Sequence, residues 1–248
     1  MARTNVILTA DNPKHENTGD TPERITAGPE GTYTIWAGGG SDIINLTSLV
    51  DPYSRPTGGM AYIYGGAGAD RITIKGGEEV TVTTMPVEYE LYAQATIWGS
   101  DGADRIDASQ YFGRLRVEGG KGPDTIFSGH YRSEILTEPG DKLILGEGED
   151  IITFLPEGDD ADPLDGVVKI RNFEVGVDTL DLSGLGEIAD PSLGNRVPRV
   201  TIDDFSVMGN TLIVDTGGGN ELRFPGLADL WENYHDPSFL RPSLGFDP

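Results

Sequence analysis

Gly65-Gly66-Ala67-Gly68-Ala69-Asp70-Arg71-Ile72-Thr73 decides how this chain reads. Glycine tolerates positive φ and lets backbone carbonyls crowd inward where a side chain would block them. A carboxylate follows the last glycine by two residues, and an isoleucine two residues later begins a strand. Hard cations ask for that arrangement: many oxygens, mostly carbonyls, with a few carboxylates to balance charge. The same order returns over residues 119–127, and looser copies occupy 37–45, 99–107, 145–153 and 173–181. All six share the core Gly-x-Asp-x-(Ile or Leu), with Asp42, Asp70, Asp104, Asp124, Asp150 and Asp178 as the acid. A core that recurs this often is an internal repeat.

Around each turn the sequence alternates with period two. Ile35, Ile63, Ile97 and Val117 precede turns, and Ile44, Ile72, Ile106, Ile126, Ile152 and Leu180 follow them on the same face. Stacked turns make each set an apolar ladder with steps of ~4.8 Å. The expected fold is all-β, a right-handed parallel β-solenoid, because parallel crossovers are overwhelmingly right-handed. Three parts are expected: an N-terminal cap (1–30), a calcium-binding solenoid (31–186) and a C-terminal cap (187–248). The last holds a three-stranded antiparallel meander over 200–207, 211–216 and 221–224, a short helix over 227–234 and a tail.

The nonapeptide Gly-Gly-x-Gly-x-Asp-x-(aliphatic)-x resembles the RTX (hemolysin-type) calcium-binding repeat of bacterial type I-secreted proteins. The resemblance spans residues 37–181, with full matches at 65 and 119. Residues 173–185 and the strands after them resemble the segment that closes RTX domains in secreted metalloproteases. Family copies follow one another without gaps and place calcium on both sides. Here the aspartates stand 20 to 34 residues apart, which implies an RTX-like β-roll with long coils and one column of ions. The resemblance implies Asp42, Asp70, Asp104, Asp124, Asp150 and Asp178 as side-chain ligands. Carbonyls near Gly38, Gly66, Gly68, Gly120, Gly122 and Gly148 would complete the shells. Six turns admit at most about five Ca2+ ions in one column. Folding would then be coupled to calcium, since stacked carboxylates repel without it. The other reading of the same residues is a metal-free stack of glycine turns whose aspartates cap backbone N–H groups.

The chain's 248 residues suffice for a sizeable core, and it has no cysteine, hence neither disulfide nor thiolate metal site. Its net charge of −23 argues against nucleic acid and anionic membrane surfaces as partners. Residues 1–20 hold no apolar run long enough for a signal peptide or membrane span. The RTX resemblance implies type I export without a cleaved signal, and a virion component released by lysis needs none either. The acidic stretch 157–166 reads as a solvated loop or an extra cation site.

Catalysis finds little support. His15, His130 and His235 are scattered, and the chain has neither a His-Glu-x-x-His nor a Gly-x-Ser-x-Gly motif. Arg71, Arg105, Asp107 and His130 are the residue types a polysaccharide-processing β-helix would use, but nothing in their order selects them. Trp36, Tyr64 and Trp98 share one phase and point away from the isoleucines, as a sugar-stacking row or a covered face. The expected function is a calcium-binding, non-enzymatic structural or adhesive protein outside the cytoplasm. Its expected partners are calcium ions and either proteins of a surface assembly or a polysaccharide, with no nucleic acid and no membrane insertion. The first alternative is a phage capsid or tail decoration or a cell-surface-layer component; the second is a β-helix enzyme or lectin acting on acidic polysaccharide.

Overall fold

The computed structural model describes residues 4–9, 14–27, 32–47, 60–76, 80–82, 89–91, 94–130, 132–137, 140–154, 167–182, 187–190, 195–198, 204–217 and 220–229. These residues are all-β, and most belong to two long parallel sheets that do not close into a barrel. The first sheet takes β1 (Thr4–Leu8), β3 (Glu23–Ala27), β5 (Ile43–Thr47), β7 (Arg71–Gly76), β11 (Arg105–Tyr111), β13 (Thr125–Phe127), β15 (Lys142–Ile144) and β17 (Val167–Arg171). The second takes β2 (Lys14–Glu16), β4 (Thr32–Trp36), β6 (Met60–Ala67), β10 (Gln94–Asp101), β12 (Arg114–Lys121), β14 (Ser133–Thr137), β16 (Ile151–Phe154) and β18 (Thr179–Asp181). The chain thus alternates between sheets. Two hairpins, β8 (Val80–Val82) with β9 (Tyr89–Leu91) and β19 (Glu187–Asp190) with β20 (Asn195–Pro198), form small sheets of their own.

Period-two alternation in β-branched residues turns one side of every strand inward. In the first sheet Ile25, Ile44, Ile72, Ile106, Ile126, Leu143 and Ile170 stand in register, and in the second Ile35, Ile63, Ile97, Val117, Ile135, Ile152 and Leu180 do. Both files are fully buried and belong to one apolar core. Burying each side chain stabilises by about 1.5–3 kcal/mol. The expected post-turn ladder is therefore split: Ile152 and Leu180 join the second sheet, while Leu143 and Ile170 take their places in the first.

Residues 1–30, expected as a cap, contribute β1, β2 and β3, which continue both sheets in register. At the other end β23 (Asn220–Pro225) adds to β17 in parallel, and β22 (Thr211–Gly217) and β21 (Phe205–Met208) follow antiparallel. Residues 200–203 of the expected meander lie outside the described residues, as do 157–166 and 230–248.

Candidate metal centre

The turns 37–42, 65–70, 99–104 and 119–124 each lead from a strand of the second sheet to the next strand of the first, so they stack along one edge. Gly38, Gly66, Gly68, Gly120 and Gly122 in these turns, and Gly148 in the turn before β16 on the opposite edge, all have positive φ, between +85° and +130°. Stacking makes a second demand. A Cβ on Gly66 would enter the Gly38 carbonyl, one on Gly68 the Gly40 carbonyl, and one on Gly122 the Gly102 carbonyl. Backbone bonds tie the turns together: the Ala67 N–H donates to the Gly38 carbonyl at 2.9 Å and the Gly68 N–H to the Asp101 carbonyl at 2.7 Å. Glycine is thus required here by turn-on-turn contact, whatever else its carbonyls hold.

Beside this edge runs a file of acids: Glu23, Asp42, Asp70, Asp104, Asp124 and Asp141, all buried. The backbone N–H of each donates to Oδ1 of the next, at 2.6–3.0 Å. At the middle of the file, Oδ2 of Asp70 and of Asp104 is buried without a hydrogen-bond partner among the described residues. Each lies against the first glycine of its own turn, Gly65 or Gly99. Burial pushes the Asp70 carboxyl up to about 7, against the lowering effect of the Asp42 N–H, and the charges of Asp104 and Asp42 add to the rise. Burial also pushes Asp104 up to about 6, against the Asp70 N–H. At the end of the file, Thr137 donates its hydroxyl to Oδ2 of Asp141 at 2.9 Å.

Asp150 and Asp178 are elsewhere. Their turns lead from the first sheet to the second, so they stand on the opposite edge, in line with Ser133. The single column of six aspartates expected from sequence is accordingly two files. In this second file every carboxylate oxygen has a donor. Ser133 N–H reaches Asp150 Oδ1 at 3.0 Å and the Ser128 hydroxyl reaches Oδ2 at 2.9 Å. Asp150 N–H reaches Asp178 Oδ1 at 3.0 Å and Glu174 N–H reaches Oδ2 at 2.7 Å. Burial raises both carboxyls, Asp150 to about 6.

The donor set is entirely hard oxygen, which suits Ca2+ in kind. Among the described residues no three His, Cys, Asp or Glu side chains converge on a point, so a cation here must draw most of its shell from backbone carbonyls. The orphaned Oδ2 atoms of Asp70 and Asp104 are where the residues fit a cation best. Glu23 and Asp141 were invisible to the Gly-x-Asp rule: Glu23-Arg24-Ile25 carries glutamate for aspartate, and Gly140-Asp141 lacks the spacer residue. The usable signal was an acid two residues before a buried aliphatic.

Trp36, Tyr64 and Trp98 form a row on the outer face of the second sheet, with centroids 5.4 and 4.4 Å apart and planes within 7°. In register, Glu16 precedes Trp36 and Glu118 follows Trp98. Ring faces are turned onto one another and edges to solvent, whereas sugar stacking needs a free face. Of the residues considered for catalysis, Arg105 pairs with Asp107 at 3.2 Å and lies beside Arg71 in register. His130 stacks on Phe112 at 4.4 Å and stands 3.6 Å from Glu147, apart from that group, and His15 bonds Glu23 at 2.6 Å.

No family model matches the chain, and no curated protein matches it.

Proposed function

We propose that this chain is a calcium-binding, non-enzymatic structural or adhesive protein that works outside the cytoplasm. In this reading the two alternating sheets form a right-handed β-solenoid of the RTX type. The observation that carries it is the buried acid file with open oxygens at Asp70 and Asp104. Carboxylates one strand spacing apart, ~4.8 Å, cannot all stay ionised in a buried site without a counter-charge. Protons serve in acid, and a divalent cation serves at neutral pH. Bound calcium would supply positive charge and tie successive turns through their oxygens. Because unfolded ligands are far apart, its binding energy becomes folding energy. A chain loosely ordered in the low-calcium cytosol and folded outside it suits type I export.

The surface-assembly alternative, in a virion or a cell-surface layer, is favoured by one observation. β1 is the outermost strand of the first sheet and exposes Ile7 at 75 %. Open strand edges are templates for association.

Calcium titration calorimetry with far-UV circular dichroism on the same samples tests the main reading. Several equivalents bound with a gain of β-signal are expected, and fewer in the Asp70→Asn/Asp104→Asn variant. A fold that is intact in excess chelator and takes up no calcium would falsify it.

A further inference from the structure

The outer face of the first sheet carries charge of the opposite sign to the chain. At one register position across the eight strands from β3 to β23 stand Arg24, Ile43, Arg71, Arg105, Thr125, Lys142, Lys169 and Arg223. Six of these are basic, in a chain with 18 basic residues against 41 acidic ones, so this is not scatter. Their neighbours in sequence point into the core, which leaves the six on the outside, exposed or half-buried. Arg105 pairs with Asp107 and lies over the Phe127 ring, 4.3 Å from its centroid, and Arg223 pairs with Glu221 at 2.7 Å. Arg24, Arg71, Lys142 and Lys169 form no ion pair among the described residues.

Offsetting the acid file does not explain the row. The file is buried while the row stands on the outer face, and among the described residues no ion pair joins a residue of the row to an acid of the file.

We propose that this face binds a linear acidic polysaccharide, with one uronate carboxylate on each sugar ring, laid across the strands along the file from Arg24 to Arg223. The reasons are spacing and charge. The positions advance by one strand, ~4.8 Å, which is commensurate with a chain of pyranose rings. Guanidinium groups bind carboxylates bidentately, and a short row of them suffices for recognition. Duplex nucleic acid fits less well: the phosphates of each strand recur every ~3.4 Å of helix axis and wind away from a row. A net charge of −23 also repels a dense polyanion more than a sparse one. At physiological salt the attraction is local, over a screening length of about 8 Å.

The inference deepens the adhesive part of the proposed function and rests on its premise of a non-catalytic extracellular protein. The full chain in calcium is titrated with oligogalacturonates long enough to reach from Arg24 to Arg223, yet too short to gel. Dextran and duplex DNA of similar length serve as comparators. Binding that weakens with added salt is expected. The Arg71→Gln/Arg105→Gln variant should lose about tenfold or more in affinity. Lys142→Gln/Lys169→Gln, a second pair in the same file, should lose a similar amount. Arg71→Lys/Arg105→Lys, which keeps the charge and loses the bidentate fork, should fall between the wild type and the Gln pair, and Arg116→Gln on the other sheet should retain full affinity. Absence of binding at low salt overturns the inference, as does equal binding of DNA or dextran, or a loss in Arg116→Gln matching that of the paired variants. Calcium uptake is read separately. A chain that takes up calcium and ignores the oligomer sinks this inference alone, and one that holds the oligomer without calcium sinks only the metal reading.

Discussion

The two acid files are built from the same local sequence and end in different electrostatic states. On one edge, backbone N–H groups reach one oxygen of the Asp70 and of the Asp104 carboxyl and leave the other buried and open. On the opposite edge, Asp150 and Asp178 have both oxygens met by Ser128, Ser133, Glu174 and the Asp150 N–H. Where hydroxyls and turn N–H groups supply the donors, the file is complete as protein. At Asp70 and Asp104 no hydroxyl or turn N–H reaches Oδ2, and the deficit falls to a proton or a cation. The first edge is therefore the better candidate for calcium, and the second is the better candidate for a purely structural buttress.

Breaking a closely stacked turn should have the largest effect, and such contact occurs on both edges, since a Cβ on Gly146 would enter the Gly129 carbonyl. Gly66→Ala places a Cβ in the Gly38 carbonyl and keeps a positive φ. It should cost on the order of 4 kcal/mol in chemical denaturation. Gly176→Ala, on the second edge, meets nothing within 4 Å and has only its φ of +85° to bear. It should cost about 1–2 kcal/mol. Equal losses would mean that the first-edge turns do not stack as described.

The carboxyls themselves should differ next. Asp150→Ala strands the Ser128 and Ser133 donors. It should lower stability by about 2–3 kcal/mol, by the same amount with and without calcium. Asp104→Asn should show its loss chiefly in calcium. If both variants respond to calcium alike, the distinction between the files falls.

A smaller effect is expected from pH. Asp70 stands at about 7 in the folded chain against 3.8 for an ordinary aspartate, and Asp104 and Asp150 stand at about 6. A raised folded-state value means that the native chain holds protons the unfolded chain has released. The stabilisation is present in full below the unfolded value and is lost as pH rises through 6 to 7. Thermal melts in chelator should thus fall between pH 4 and pH 7, and saturating calcium should flatten the first edge's share of that slope. A chelator melt that rises with pH over this range would contradict the burial of these carboxyls. The smallest effect belongs to Arg116→Gln, which removes an exposed pair with Glu134 at 3.3 Å and should change stability by less than about 0.5 kcal/mol.

Much of this was legible in the chain. Period-two alternation around Ile35, Ile63 and Ile97 named the inward face correctly, because side-chain direction in a strand is a local property. The positive φ at Gly38, Gly66, Gly68, Gly120, Gly122 and Gly148 was equally local. Glu23 and Asp141 escaped because the acid's place in the file depends on register, and glutamate or a shorter turn can occupy it. The row of Trp36, Tyr64 and Trp98 was visible as a phase, but only stacking of the strands turned the ring faces onto one another. The basic file on the first sheet was hidden for the same reason: Arg24, Arg71, Arg105, Lys142, Lys169 and Arg223 are far apart in sequence and meet only through strand pairing.

By itself the sequence determined where strands begin, which side of each is apolar and where the chain must turn on glycine. Those choices are made by φ preferences and by burial of β-branched side chains, which act over a few residues. The tertiary structure alone decided on which edge each turn falls, and so divided six similar aspartates into two files. The connections between strands have unequal lengths, and no local pattern says how many strands they carry before the next Gly-x-Asp turn. β15 (Lys142–Ile144), one extra strand between Asp124 and Asp150, is what moved the later turns across.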